Sequence, residues 1–215
     1  MNLLDIKVFY MINTLMLIFL SFYSLFFYRK NKNNPAIKYL TFFTLFYTIG
    51  FILLILRNQI PDFLSVLFAN VLFTIGSVCL YIAIRAILNL EARWKAIYWI
   101  PILIVFVGFY LFTYVYFDPN MRFFLYSLFV LVFSILDMRL FILYSSPEFK
   151  LFDKISILIY FLSTLIFLSL CIYITLEKVS GYFFSNVNII VYLPSFYMII
   201  LNIWIVLVLS YRIRR

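Results

Sequence analysis

Long apolar stretches separated by short polar turns run the length of the chain. Seven of them cover about residues 8–28, 38–56, 63–85, 96–117, 123–144, 155–176 and 187–210. Each is close to the ~20 residues that a helix needs to cross the hydrocarbon core of a bilayer. The runs are continuous rather than alternating, which excludes a transmembrane β-barrel. Helices are then the form that satisfies every backbone group in lipid. The pattern predicts an all-α, polytopic membrane protein: a seven-transmembrane helix bundle, with residues 1–215 forming a single transmembrane domain and no soluble domain.

The turns carry their own chemistry. Asn33-Asn34-Pro35, Ile60-Pro61-Asp62, Asp118-Pro119-Asn120 and Ser145-Ser146-Pro147-Glu148 each mark a helix boundary, because a proline restricts the residue before it and cannot continue a helix. Asp62 and Asp153 stand where caps of the third and sixth helices are expected. The longest outer connection, Glu177 to Asn186, is too short to fold as a domain, so binding or sensing falls to the bundle or its shallow mouth. The first stretch exceeds the ~7–15 apolar residues of a signal peptide, and no small-x-small cleavage site follows it. It reads as a retained helix.

Composition agrees with lipid as the solvent. Hydrophobic residues make up 67% of the chain and charged residues 12%, with a mean hydropathy of +1.12, against roughly half apolar and a quarter charged in soluble domains. The net charge of +9 is gathered at segment ends, which points to anionic headgroups and not to nucleic acid. With the amino terminus outside, 13 of the 17 basic residues face inward; Lys7, Arg57, Arg122 and Lys178 are the outer four. The positive-inside rule then gives N-out, C-in. Cys79 and Cys171 both lie inside apolar segments, so no disulfide is expected. Histidine is absent, which removes His-ligated haem, His-containing metal sites and a phospho-histidine relay within this chain. No cofactor and no metal site is expected.

Polar residues inside the segments are the candidates for function. Asn70, Thr74, Ser77 and Tyr81 recur at helical spacing on the third helix, within about 40° of one another, with Arg85 just below. Such a stripe faces the bundle interior, either as interhelical hydrogen bonding or as the lining of a ligand pocket. Asn188, Ser195 and Asn202 form a second stripe on the last helix, where Pro194 removes a backbone donor. Asp137 is the acid that lies clearly within an apolar segment, with Arg139 two positions on and pointing to the opposite side. It is either half of a structural ion pair, with Arg85 or an inner-loop cation, or a functional switch or proton site. There is no phosphate-binding glycine loop, no cysteine pair at metal spacing, no Ser–His or Cys–His pair and no G-x-x-x-G, so no catalytic residue is assigned. The last helix carries no lysine for a retinal Schiff base.

Residues 56–70, Leu-Arg-Asn-Gln-Ile-Pro-Asp-Phe-Leu-Ser-Val-Leu-Phe-Ala-Asn, are followed by Gly76 and by Tyr-Ile-Ala-Ile-Arg-Ala-Ile at 81–87. This part of the chain resembles the amino-terminal membrane region of bacterial diguanylate cyclases and related sensor histidine kinases. Arg57, the Ile60-Pro61-Asp62 turn, Asn70 and Arg85 carry the resemblance, which covers about a fifth of the chain by motif and all of it by helix count. It implies a sensory module of the bacterial cytoplasmic (inner) membrane whose last helix feeds a cytoplasmic coiled coil or output domain. Taken with the two polar stripes, it makes Arg57, Asn70, Thr74, Ser77, Tyr81 and Asn202 the candidate ligand or signal residues. These 215 residues carry no Gly-Gly-Asp/Glu-Glu-Phe motif and no kinase domain, so cyclase or kinase activity is not carried over. The expected partners are the lipid bilayer, a cytoplasmic signalling domain or partner protein beyond Arg215, and a second copy of the chain in a homodimer. A small transporter or channel, using Asp137, Arg139 and the two stripes as a pathway, is the alternative.

Overall fold

The computed structural model describes residues 3–145, 147, 150–180, 200 and 203–204. Its helices are α1 (Leu3–Lys30), α2 (Pro35–Ile55), α3 (Ala69–Ile87), α4 (Trp99–Tyr110), α5 (Pro119–Leu143) and α6 (Lys150–Ser180). A π-helical turn, Phe63–Phe68, leads directly into α3; another, Leu111–Val115, extends α4, and a 3-10 turn, Ala96–Tyr98, opens it. The described residues thus form six helices long and apolar enough to cross a membrane. The seventh segment, 187–210, lies outside the described residues apart from helical Ile200, Ile203 and Trp204. Trp204 Nε1 donates to Ser156 Oγ at 3.0 Å, and its ring stacks on Phe152 near the start of α6.

Two prolines begin helices rather than ending them. Pro35 and Pro119 occupy the first helical positions, where a missing N–H is no loss. Asn34 accepts from the backbone N–H groups of Ala36 and Ile37, and Asp118 from those of Asn120 and Met121. These caps start α2 and α5 a few residues before the apolar runs suggest. The two other expected caps are different. Asp62 makes no capping hydrogen bond, because its backbone is already helical. Asp153 lies inside α6, fully buried, and accepts from Ser145 Oγ at 3.0 Å across the preceding turn.

The third span is the centre of the bundle. Phe63–Ile87 is 72% buried against 22% for Ala96–Val115, and α3 packs on α2, α4 and α5. Helix α1 packs on α2, and α5 pairs with α6. The α4 segment is the least buried of the six spans, and it carries aromatic residues at both ends. Trp94, Tyr98 and Trp99 cluster at its start, and Tyr110, Tyr114 and Tyr116 stand exposed at its finish. Residues 98 and 116 are about 27 Å apart along a helix axis, close to the hydrocarbon thickness that interfacial aromatic belts bracket.

The α2–α3 seam is an interlock. A Cβ on Gly50 of α2 would stand 2.6 Å from Phe73 Cε1, and a Cβ on Gly76 of α3 would stand 2.6 Å from Tyr47 Cδ2. Each helix therefore seats an aromatic ring of the other on a glycine. The rings of Tyr47, Phe51 and Phe73 continue the contact, with centroids 5.0 and 5.1 Å apart where Phe73 meets Phe51 and Tyr47. Small residues give close backbone approach in lipid, where no hydrophobic effect drives helices together.

The connection from α3 to α4 holds two ion pairs. Glu91 Oε1 meets Arg93 Nε at 2.6 Å and Oε2 meets Lys95 Nζ at 2.6 Å. The hydrogen bond from Lys95, helped by the charges of Arg93 and Arg85, holds the Glu91 carboxyl below its ordinary range. A depressed carboxylate of this kind contributes above its unfolded-state value and loses that contribution as pH falls through its folded-state value. At so exposed a site water and salt screen most of it.

The interlock predicts that Gly76→Leu and Gly50→Leu each destabilise the bundle by about 1–3 kcal/mol through overpacking. Thermal unfolding in detergent, followed by near-ultraviolet circular dichroism of the aromatic residues, measures this. Wild-type melting in both variants would show that the rings have room to move.

Candidate functional site

The polar stripe of α3 comes from helical spacing in a segment otherwise filled by Val, Leu, Ile and Phe. Its side chains bond mainly to their own helix. Asn70 Nδ2 donates to Val66 O at 2.6 Å, Thr74 Oγ1 to Asn70 O at 2.8 Å and Ser77 Oγ to Phe73 O at 3.0 Å. This back-bonding to the carbonyl four residues earlier gives a polar side chain a partner without water. Ser77 reaches further: its hydroxyl also meets Tyr47 Oη of α2 at 2.8 Å. Tyr81 is half-buried, edge-on to Tyr98 and Phe133, with the Arg85 guanidinium 5.9 Å from its ring centroid. Of the four, Ser77 and Tyr81 meet neighbouring elements, while Asn70 and Thr74 bond carbonyls of their own segment.

Arg57 does not join that stripe. It is exposed in the α2–α3 turn, where its backbone pairs with Ile60 and Asn58 takes a left-handed conformation (φ 72°). Arg57 lies within electrostatic range of Arg122, as do Asp62 and Asp118. Arg122 is buried in the first turns of α5, its guanidinium 5.4 Å from the Phe117 ring centroid. These charges gather at the mouth from which the π-helical turn enters α3, about 10 Å above Asn70 along the helix axis. Asn202, with the rest of the second stripe at Asn188, Pro194 and Ser195, lies outside the described residues.

Asp137 is buried in α5, 3% exposed, and its Oδ1 has no hydrogen-bond partner. Among the described residues it makes no ion pair. Arg85, a candidate partner, instead donates from Nε to Glu91 O at 2.9 Å. Arg139 is exposed. The surroundings of Asp137 are set by its helix face. Ser134, one turn before it, bonds Ser163 of α6 at 2.6 Å, and Phe141, one turn after it, stacks on Tyr160 of α6. Tyr47, the partner of Ser77, is within electrostatic range.

Another polar seam escapes the reading of the sequence. Ser21 and Ser24 of α1 bond Thr48 and Thr44 of α2 at 3.0 Å each, and Thr41 Oγ1 donates to Ser24 O at 3.2 Å. Its signal is present: Thr41, Thr44 and Thr48 are spaced by three and four, and Ser21 and Ser24 by three, on consecutive helices. No group of acids and thiols able to hold a metal ion occurs among the described residues.

The Tyr47–Ser77 bond is the polar tie between α2 and α3. Tyr47→Phe and Ser77→Ala should each cost about 0.6 kcal/mol, the ordinary value for an interhelical hydrogen bond in a membrane protein. The double variant should cost less than the sum of the two, as unfolding in mixed detergent with denaturant would measure. Strict additivity would mean that the two hydroxyls do not interact.

Compared with protein-family models, with curated proteins and with solved structures, the chain matches none.

Proposed function

We propose that this chain is a sensory and signal-transducing module of the bacterial inner membrane, without catalysis of its own. It lies N-out and C-in, and it relays a stimulus through its last helix to a cytoplasmic output domain or partner protein. The observation that carries this reading is the course of α3. It is the most buried span, it packs on α2, α4 and α5, and it joins the charged turn around Arg57 and Asp62 to Arg85 at the opposite end. A change in packing at the outer mouth would be felt by each of those neighbours. The contact of Trp204 with Ser156 and Phe152 ties the last helix to α6, and α6 is tied through Ser134 and Ser163 to α5. Such a relay requires two packings with different affinity for the stimulus.

The distribution of basic residues supports the orientation, and the resemblance around Arg57, Ile60-Pro61-Asp62, Asn70 and Arg85 supports the class. A transport pathway along α3 has less to stand on, because Asn70, Thr74 and Ser77 spend hydrogen-bonding capacity on their own helix.

Orientation is tested by single cysteines in intact cells. Gln59→Cys should react with a membrane-impermeant maleimide from outside, and Asn33→Cys only after permeabilisation; Cys79 and Cys171 are buried and should stay silent. The reverse pattern would overturn N-out, C-in. The relay is tested by fusing a diguanylate cyclase domain after Arg215 and substituting Arg57→Ala and Asn70→Ala. Changed cyclase output with normal membrane insertion is expected. Output unaffected by either variant would count against the sensory reading.

A further inference from the structure

Asp137 is a buried ionisable group that the relay does not use. Its carboxyl is 97% enclosed, at a level about 9 Å along α5 from the helix end at Leu143. One carboxyl oxygen has no hydrogen-bond partner. An ionised carboxylate so placed, without a cation, carries a desolvation cost of several kcal/mol, and an intramembrane acid of this kind marks function by default.

Among the described residues, the groups around it offer no compensating charge. From α2 comes the neutral Tyr47 hydroxyl, bonded to Ser77. From α3 come Tyr81, edge-on to Phe133, and Arg85, which is held by Glu91 O and the Tyr81 ring. From α6 come Tyr160, stacked on Phe141, and Asp153, which accepts from Ser145. Lys150 and Lys154 of α6 and Arg139 of α5 are exposed. The α4 helix, Trp99–Tyr110, contributes no charged residue. With no counter-charge among the described residues, a bound cation would have to supply it. A metal cation needs several converging oxygens, whereas Ser134 and Ser163 bond one another and Tyr47 bonds Ser77. A proton needs one oxygen.

We propose that Asp137 is a proton-binding site inside the bundle. Its carboxylate takes H+ from hydronium, releasing water and forming the neutral acid, and returns the proton to water by the reverse step. The site stands independently of the sensory reading: it binds a proton whether or not the bundle drives an output.

Dicyclohexylcarbodiimide, which attacks un-ionised carboxyls in apolar surroundings, tests this on the full chain in proteoliposomes, with peptide mass spectrometry as the readout. Asp137 should be modified at neutral pH, several-fold less at alkaline pH, and no more weakly in the presence of sodium. Asp137→Glu should keep the modification and Asp137→Asn lose it. Infrared spectroscopy of the wild-type protein gives a second readout that needs no reagent access: the C=O stretch of an un-ionised carboxyl should disappear on alkalinisation and shift in Asp137→Glu. A carboxylate band for Asp137 at neutral pH would overturn the proposal. So would protection of Asp137 by sodium at fixed pH, which would make this a metal-cation site.

Discussion

The seam between α2 and α3 is the contact on which the rest of the bundle depends. In lipid, exclusion of water cannot press helices together, so they associate where backbones approach closely and polar groups meet. Gly50 and Gly76 provide the approach, each by leaving room for an aromatic ring of the facing helix. Tyr47 provides the polar contact, reaching Ser77 from the ring that Gly76 seats. Without the glycines the rings would push the helices apart and the hydroxyls would not meet. With them, α3 is held at the centre, where α4 and α5 pack on it.

Each further pairing repeats the device with different residues. Serines and threonines join α1 to α2, and two serines join α5 to α6. These hydroxyls also suit the membrane because a serine or threonine can fall back on its own helix, as Ser77 does with Phe73 O. Where α3 meets α4 and α5 the joining groups are rings: Tyr81, Tyr98 and Phe133. Asp137 differs: it is an ionisable side chain in the bundle interior, and one of its oxygens has no hydrogen-bond partner among the described residues. That contrast is the reason it stands out as chemistry rather than glue.

The end of the bundle at the α2–α3 turn is organised differently. Phe117 holds a strained positive φ of 34° beside Asp118, whose carboxylate caps α5, and Arg122 lies over the Phe117 ring. Both π-helical turns belong to this end of the bundle. Such turns interrupt the regular ladder and often accompany functional sites. The proposed relay places its stimulus here, where charge, irregular backbone and the start of the central helix come together.

Apolar runs of about the hydrocarbon thickness were enough to read the all-helical membrane class from residues alone, because lipid leaves the backbone few alternatives. Periodicity also placed Asn70, Thr74, Ser77 and Tyr81 on one face. It could not say whether those side chains would turn toward a ligand, a neighbour or their own carbonyls, since that choice belongs to rotamers and to the packing across the seam. The prolines at 35 and 119 read as boundaries, while their place as first helical residues depended on the caps from Asn34 and Asp118. The seats at Gly50 and Gly76 have no local signal, because each exists only against a ring from another helix. The isolation of Asp137 is of the same kind: its sequence position placed it inside an apolar segment, but only the arrangement of three-dimensional neighbours, with Arg85 turned to Glu91 and Arg139 turned outward, decided that no cation among the described residues pairs with it.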